Sequence, residues 1–453
     1  MKDNIKKRVA AVTLGCKLNY AETSSILDNL CKQGWELSTI EEGADLLIIH
    51  TCAVTKQAEQ KCRQKIRGII RKNPASRIAV IGCYSQLNPD ALSAIEGIDA
   101  ILGSEEKFHL QWYNDITFGT IPLPCVKVSP ACSFDEVYPG YSLSSGVTKD
   151  RTRAFLKIQD GCDYGCSYCT IPLLRGKSRS LPAGLIVERA HALAFSGYRE
   201  IVLTGVNIGD YRHGDHRLCD LLHMLEEVKV GRIRISSIEP DIVDSELISL
   251  VAESEKIVPH FHIPLQSGSD RILRSMRRRY DTALYRSRVL QAVERLPDCA
   301  IGADVMVGYP GETEEDFLQI LRFIEELPLA YLHIFSCSIR PGTPLAEKVA
   351  NREFQAVVPG AIARRYRVLT ELGLQKEARF KTRFIGKESM VLFEESKPVQ
   401  KGSRLYSGYT RNYLRVFVES AGGFEEQNLS GRELPVLIES MGDDLNLKGR
   451  LLS

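Results

Sequence analysis

Three cysteines lie close together in the stretch Asp160-Gly-Cys-Asp-Tyr-Gly-Cys-Ser-Tyr-Cys169, with the spacing C-x3-C-x2-C. Strand-forming residues, 154–158, come directly before it. Three thiolates this close can hold one corner of a [4Fe–4S] cluster, which usually takes four ligands, so one iron is left open. A structural zinc site normally needs four ligands, and no fourth Cys or His is nearby. The sequence therefore predicts a cluster on Cys162, Cys166 and Cys169.

A second set of three cysteines is spread over the first 83 residues in one repeated context. Cys16, Cys52 and Cys83 each follow a strand-like run and precede a helix-like segment. Such positions gather at the carboxyl edge of a parallel sheet, and thiols near helix N-termini favour the metal-binding thiolate. The alternative is three small buried cysteines, which are common in strands. The shared position favours a second metal site.

The pattern of elements predicts an α/β protein of three domains. Residues 1–120 alternate strand-like runs (9–14, 45–50, 77–81, 100–102) with helix-like segments (22–33, 55–71, 88–96), which predicts a parallel sheet with helices on both faces. Residues 121–150 are predicted to be a linker. Residues 151–375 contain six further strand-like runs separated by helices (154–158, 200–204, 232–236, 260–264, 301–307, 331–335), which indicates a partial (β/α)6 barrel. Residues 376–453 are predicted to form a small antiparallel β domain.

Composition is that of a globular protein, with 44% hydrophobic and 26% charged residues among 453. The net charge of +2 means that a nucleic acid would have to bind a local basic patch. No apolar h-region follows the basic residues 1–8, and no apolar run approaches the ~18 residues of a membrane span. We therefore expect a cytoplasmic protein without membrane contact. In a reducing compartment, clustered cysteines indicate metal ligation or catalysis rather than disulfides.

Taken together, the two triads resemble those of the radical S-adenosylmethionine (SAM) methylthiotransferases. The similarity runs from about Arg8 to the end, through Leu203-Thr-Gly-Val-Asn-Ile-Gly209, His262-Ile-Pro-Leu-Gln-Ser-Gly268, Val305-Met-Val-Gly-Tyr-Pro-Gly-Glu312 and Arg340-Pro-Gly-Thr-Pro344. Thr13-Leu-Gly-Cys-Lys-Leu-Asn-Tyr-Ala-Glu-Thr23 is most similar to the branch that modifies N6-threonylcarbamoyladenosine in tRNA. His50 and Ser336-Cys337 depart from the usual Asn and Pro-Tyr, but neither removes a cluster ligand.

The resemblance implies two [4Fe–4S] clusters and SAM as cofactors. Cys162, Cys166 and Cys169 would be the catalytic ligands, with SAM chelated by the open iron as radical source and also serving as methyl donor. The second cluster would carry the sulfur. Strand ends of a barrel collect its ligand site, so SAM is expected to contact an aromatic residue before the last cysteine and several strand-end residues. These residues are Tyr168, Thr204, Gly205, Asn207, Ser237, Glu239 and Gln266.

Two groups of residues are expected to contact RNA. The first belongs to a dense arginine cluster, whose alternative reading is a solvated helix face; its members are Arg271, Arg274, Arg277, Arg278, Arg279, Arg286 and Arg288. The second lies in Gly408-Tyr-Thr-Arg-Asn-Tyr413, which resembles the family's RNA-binding TRAM domain. There, Tyr409 and Tyr413 would stack on bases, and Arg411 would bind phosphates.

The combined interpretation is a monomeric methylthiotransferase that acts on threonylcarbamoyladenosine in the tRNA anticodon stem-loop. An electron donor such as flavodoxin or ferredoxin is expected. Arg175 and Lys177 are candidates for the substrate carboxylate, with solvent exposure or the SAM carboxylate as alternatives. Isopentenyladenosine tRNA and a ribosomal-protein aspartate are alternative substrates. An RNA-binding redox sensor is the alternative from another class, disfavoured because a passive cluster gains nothing from an open iron.

Overall fold

The fold was analysed in a computed structural model that describes residues 7–142, 152–399, 403–420 and 428–452. Three consecutive units are present: a parallel α/β sheet, an open α/β barrel and a closed β barrel. This is the predicted fold class. No helix of the described residues is both long and apolar enough to cross a lipid bilayer.

The first unit is a six-stranded, wholly parallel sheet in the order β2-β1-β3-β4-β5-β6. Its elements are β1 (Arg8–Thr13), α1 (Lys17–Lys32), β2 (Glu36–Leu37), β3 (Leu46–Thr51), α2 (Lys56–Lys72), β4 (Arg77–Gly82), α3 (Cys83–Leu87), α4 (Pro89–Ser93), β5 (Ala100–Leu102), α5 (Leu110–Phe118) and β6 (Cys125–Lys127). Helices α1 and α5 cover one face, and α2 to α4 cover the other. Helices on both faces were predicted.

Two boundaries in this unit differ from the sequence prediction. Helix α1 begins at Lys17, five residues before the predicted start, because its first turn packs Leu18 and Ala21 against other parts of the chain. The predicted linker 121–150 is not wholly irregular, since β6 pairs with β5 as the edge strand. Residues 143–150 of that linker lie outside the described residues.

The second unit has six main parallel strands, which follow one another in chain order around a partial barrel. A bridge from Ser237 to His262 links its two three-stranded halves. Its elements are β7 (Arg153–Lys157), β8 (Gln159–Asp160), α6 (Ile171–Arg175), β9 (Arg179–Ser180), α7 (Ala183–Phe195), β10 (Glu200–Thr204), β11 (Arg212–His213), β12 (His216–Arg217), α8 (Leu218–Glu226), β13 (Arg232–Ile235), α9 (Ser245–Glu253), β14 (His260–His262), α10 (Asp270–Ser275), α11 (Thr282–Arg295), β15 (Ala300–Val307), α12 (Glu314–Glu326), β16 (Tyr331–Ser336), α13 (Pro344–Ala350) and α14 (Pro359–Thr382).

Side chains alternate between the two faces of this barrel. Ala154, Leu156, Ile201 and Leu203 pack outward into the helix layer. The opposite positions of β7 and β10, among them Phe155 and its register partner Val202, face the lumen. Period-two alternation of this kind separates an apolar outer core from a lumen that can be polar.

The third unit is a closed five-stranded barrel, β17-β18-β19-β21-β20. Its strands are β17 (Glu388–Pro398), β18 (Arg404–Thr410), β19 (Arg415–Ser420), β20 (Glu433–Met441) and β21 (Leu447–Leu451). Only β19 and β21 pair in parallel. The predicted boundary at 375/376 falls inside α14, so the β strands begin after that helix, at Glu388.

Candidate active site

The first cysteine triad lies in the loop that follows β7 and β8, at the carboxyl end of the barrel strands. Gly161 allows the sharp turn, because its φ is +71° and a Cβ there would collide with the Lys177 carbonyl. The Cys162 N–H donates to the Gly176 carbonyl at 3.1 Å. Backbone N–H groups point at two of the sulfurs, from Tyr164 to Cys162 at 3.4 Å and from Ile171 to Cys169 at 3.5 Å. Backbone N–H groups of the loop thus lie beside two of the three sulfurs, where they would stabilise thiolates.

Arg278 contacts the sulfur of Cys166, the remaining member of this triad. Its Nη1 donates to Cys166 Sγ at 3.1 Å, and its Nη2 pairs with the Glu239 carboxylate. Only 3% of the Arg278 side chain is exposed. Because the Arg278 guanidinium is buried against Cys166 and Glu239, it has no free face for RNA phosphates. The burial of Arg278 therefore does not fit the predicted RNA contact. The sequence could not show this, because the partners lie 112 and 39 residues away.

The second triad lies at the carboxyl ends of three adjacent strands, β1, β3 and β4. Cys16 precedes α1, Cys52 follows β3, and Cys83 is the first residue of α3. Cys16 and Cys83 are near each other: burial raises the pKa of Cys16, Arg175 and Asn19 oppose that rise, and Cys83 adds a smaller increase. Strand topology thus brings together three residues that the sequence separates by 67 positions.

Burial favours the protonated thiol at several of these cysteines, so a metal would have to displace their protons, although helix N-termini were expected to favour the thiolate. Burial raises the pKa of Cys52 and Cys169 to about 12 and that of Cys162 to about 11. A metal must therefore compensate the charge of the thiolates. Tetrahedral zinc with bonds of about 2.3 Å would hold its sulfurs about 3.8 Å apart. In the described part of the chain, only His262, Asp304 and His333 bring three ligand atoms within 4.8 Å of one another. Neither triad meets that limit among the described residues, so each is wider than a single zinc site.

The residues predicted to bind SAM lie at the same end of the barrel as the first triad. Thr204 ends β10, and Gly205 and Asn207 follow it; Ser237 and Glu239 follow β13, and Gln266 follows β14. Tyr168, before the last cysteine, packs beside an apolar cluster next to β15 and β16.

Two of these residues have buried polar atoms of the kind found in ligand sites. Asn207 is 4% exposed, yet neither atom of its side-chain amide has a partner among the described residues. Gln266 also has an unpartnered buried Oε1, and its φ of +60° is strained for a residue other than glycine. Buried polar atoms without partners are costly, so they fit the hydrogen-bonding edge of a bound cofactor.

A buried charge network joins the first two units beside both triads. Glu22 accepts from Lys107 at 2.6 Å, from Lys157 at 2.8 Å and from Arg175 at 2.9 Å. Lys157 and Arg175 also donate to Asp160, at 2.6 and 2.9 Å. Burial opposes ionisation of both carboxyls, but these cations outweigh it and hold the pKa of Glu22 well below its usual value. Arg175 is therefore saturated by protein carboxylates and is not free for a substrate carboxylate.

Asn19 connects this network to the second triad. Its Oδ1 accepts from Arg175 Nη2 at 2.8 Å and lies 3.5 Å from Cys16 Sγ. His50, the unusual residue before Thr51-Cys52, does not bind a cysteine. It hydrogen-bonds Thr23 Oγ1 at 2.8 Å, and burial lowers its pKa well below the usual value, so the ring is neutral.

The tail residues predicted to bind RNA also dock the third unit onto the amino-terminal end of the barrel strands. The Tyr409 carbonyl accepts from Arg232 at 2.8 Å, and the Arg411 carbonyl accepts from Arg234 at 3.2 Å. Tyr413 stacks on Tyr409 with ring centroids 4.8 Å apart. The same residue types serve RNA stacking and protein packing. All three residues stay partly exposed, and their contact with RNA stays a prediction.

Most of the arginine cluster is exposed, but several members have acidic partners. Arg271 pairs with Asp316, and Arg286 pairs with Glu326 at 2.5 Å. Arg277 and Arg279 are exposed beside Arg278. Arg279 lies over the Tyr164 ring at 3.9 Å, next to the first triad. Of the three adjacent arginines predicted to bind RNA, only these two have a suitable position.

The lumen carries a polar cluster that sequence reasoning missed. His262 and His333 lie 3.0 and 3.3 Å from the same Asp304 oxygen. Tyr331 bonds both His260 and His262, and it fits because Gly302 leaves room for its ring. The hydrogen bonds from the two imidazoles, against the effect of burial, hold the pKa of Asp304 below its usual value. The alternation of polar residues at lumen-facing positions was a signal that could have found it.

Comparison with known proteins agrees with this arrangement. Residues 156–324 match the family described as the Radical SAM superfamily, and residues 8–103 match the uncharacterized protein family UPF0004. The chain is 37% identical over 412 residues to the threonylcarbamoyladenosine tRNA methylthiotransferase MtaB of Bacillus subtilis (strain 168), covering 90% of this chain and 89% of that protein. The protein of the same name from Thermotoga maritima is 36% identical over 413 residues, covering 90% and 91%.

Relatives with lower sequence identity carry names that refer to a different nucleoside. The tRNA-2-methylthio-N(6)-dimethylallyladenosine synthase of Dictyoglomus thermophilum is 32% identical over 439 residues, covering 94% of each chain. Among solved structures, the radical S-adenosylmethionine methyltransferase TsrM from Kitasatospora setae matches with a TM-score of 0.58 at 16% identity, over 77% of this chain and 78% of that one. At that identity the likeness shows a shared fold alone.

Proposed function

This chain belongs to the radical SAM methylthiotransferase family, and from that premise we propose that it places a methylthio group on C2 of N6-threonylcarbamoyladenosine next to the tRNA anticodon. One observation carries the proposal: two cysteine triads sit at strand ends of two units, and the Glu22–Arg175 network locks those units together. The relatives named for threonylcarbamoyladenosine support the choice of nucleoside.

The chain's own residues have distinct tasks in this reaction. Cys162, Cys166 and Cys169 would hold the cluster that binds SAM, and Cys16, Cys52 and Cys83 would hold the cluster that carries sulfur. When bound, SAM supplies the methyl group and the radical chemistry needed to break an aromatic C–H bond, which is too weak an acid for base catalysis. The positively charged Arg278 donates a hydrogen bond to the Cys166 sulfur. Asn207 and Gln266 offer unpaired polar atoms to the cofactor.

The remaining partners follow from the proposed reaction. The substrate is the anticodon stem-loop, which places the protein in the cytoplasm. A one-electron donor of the flavodoxin or ferredoxin type would start the reaction.

A side-by-side assay tests the choice of nucleoside. Anaerobically reconstituted protein receives SAM, a reductant and anticodon stem-loops that carry either the threonylcarbamoyl or the isopentenyl group. We expect methylthiolation of the first by nucleoside mass spectrometry, with 5′-deoxyadenosine formed alongside. Product only from the isopentenyl RNA would reject the nucleoside but keep the enzyme class. No 5′-deoxyadenosine with any substrate would favour the redox sensor.

A further inference from the structure

The floor of the barrel lumen is a layer of charges that neutralise one another. Arg153 pairs with Glu394, Arg232 with Glu433 at 2.7 Å, and Arg234 with Glu200 at 2.7 and 3.0 Å. His260 adds no charge, because burial lowers its pKa well below the usual value. The three arginines are thus balanced by three carboxylates.

Lys17 is a further cation facing this layer. It follows Cys16 as the first residue of α1 and interacts electrostatically with Tyr413, Arg153 and Arg234. Within the described residues its ammonium forms neither a hydrogen bond nor an ion pair, although solvent reaches the side chain. Because Lys17 is exposed and has no partner among the described residues, its ammonium is free to pair with an anionic ligand.

Helix α1 positions Lys17 on the lumen side of the barrel. The Tyr20 ring meets the Phe155 ring edge-on at 5.5 Å, and Ala21 packs with Phe155 and Val202. Both barrel residues face the lumen. The start of α1 therefore packs against the lumen-facing side of β7 and β10.

The chemistry of adenine connects this position to the substrate. C2 and C6 are both bonded to N1, so a substituent on N6 lies beside the carbon that would receive sulfur. A base whose C2 is near Cys16 therefore places its N6 substituent within reach of the neighbouring lysine, whose four-carbon stem is flexible.

We propose that Lys17 binds the carboxylate of the threonylcarbamoyl group and thereby selects this nucleoside. The proposal rests on the proposed function. It replaces Arg175, which Glu22 and Asp160 already occupy, and differs from Lys177, which adjoins the first triad rather than Cys16. The Asp304 cluster on the other wall offers hydrogen-bonding groups to the rest of the substituent.

A binding experiment with two stem-loops tests Lys17 without relying on turnover. One carries the natural threonylcarbamoyl group, and the other carries the same group with its carboxylate converted to the primary amide. For the cluster-loaded wild-type protein we expect about tenfold tighter binding of the carboxylate form, since hydrogen bonds to charged groups are the stronger ones. Lys17→Gln should bring the two affinities to near equality, Lys17→Arg should keep the preference, and Lys177→Gln should not change it.

The outcomes separate the two levels of the proposal. If Lys17→Gln still prefers the carboxylate form, the proposed role of Lys17 is wrong, but the proposed nucleoside substrate stands. No preference in the wild-type protein, with tighter binding of isopentenyl RNA, overturns both. Equal weakening of both stem-loops by Lys17→Gln would also overturn the proposal. Iron and sulfide content of the variant should match the wild type, because Lys17 adjoins a cluster ligand.

Discussion

Arg175 donates from Nη1 and Nη2 to the two oxygens of Glu22, at 2.9 and 3.1 Å. Arg175 ends the helix that follows the first triad, and Glu22 lies in the helix that follows Cys16. The pair therefore fixes the sheet unit against the barrel unit close to both triads. Bidentate geometry of this kind fixes orientation as well as distance.

Glu22→Gln should strongly destabilise the protein, by about 3–5 kcal/mol, because it leaves Lys107, Lys157 and Arg175 buried with Asp160 as their only carboxylate. Denaturant unfolding measures the loss. Glu96→Gln, at an exposed position, is the matched control and should stay within about 0.5 kcal/mol. A loss for Glu22→Gln no larger than that of the control would contradict the proposed importance of the network.

The effect of Glu22 should also depend on pH. Its folded pKa lies well below the usual value, so its stabilisation is complete above the unfolded pKa of about 4.3 and is lost as pH falls toward the folded pKa. The difference between wild type and Glu22→Gln should then be constant from pH 8 to about 5 and shrink in stronger acid. Growth of the difference on acidification would reverse the expected sign.

Replacing each triad by alanine should separate two clusters. Without Cys162, Cys166 and Cys169, about four irons should remain and SAM cleavage should be lost. Without Cys16, Cys52 and Cys83, about four irons should again remain, but uncoupled SAM cleavage should persist. Iron analysis and 5′-deoxyadenosine formation give the two readouts. Full iron content in either variant would show that the ligands are assigned wrongly.

Arg278→Gln should impair SAM cleavage, whereas the double change Arg277→Ala with Arg279→Ala should impair tRNA binding. Arg278 touches Cys166 and Glu239, so its loss should impair SAM cleavage by at least tenfold and leave tRNA affinity unchanged. The exposed pair should instead weaken tRNA binding and lower its salt dependence by up to about two units of slope. Binding titrations at several salt concentrations distinguish them. Loss of tRNA affinity with Arg278→Gln would restore the phosphate role.

Tyr413→Ala should loosen the third unit from the barrel. Its ring packs on Tyr409, on Arg234 at 4.8 Å and on His260 at 4.8 Å, so we expect a loss of about 2 kcal/mol. Faster hydrogen exchange in β19 would report the loosening. Tyr413→Phe retains the stacking and serves as the control. A change in RNA affinity without any change in exchange would favour the stacking role predicted from sequence.

The sequence by itself determined the fold class and the six cysteines that occupy strand-end positions. Those inferences depend on local patterns: a short spacing around Cys162, and strand–helix alternation that places Cys16, Cys52 and Cys83 at one sheet edge. Because parallel strands end at a common edge, order along the chain predicts proximity there. The cluster assignment itself remains a prediction for the iron measurements above.

Only the tertiary structure decided what the charged and aromatic residues contact. Arg175 meets Glu22 across 153 residues, Arg278 meets Cys166 across 112, and Arg232 meets Glu433 across 201. From sequence, each of these arginines is a free cation, and Tyr413 is a free ring. A charge is neutralised by whichever opposite charge the fold brings within hydrogen-bond distance, and no local spacing encodes that partner. For the same reason, only the tertiary structure shows that Lys17 has no charged partner among the described residues.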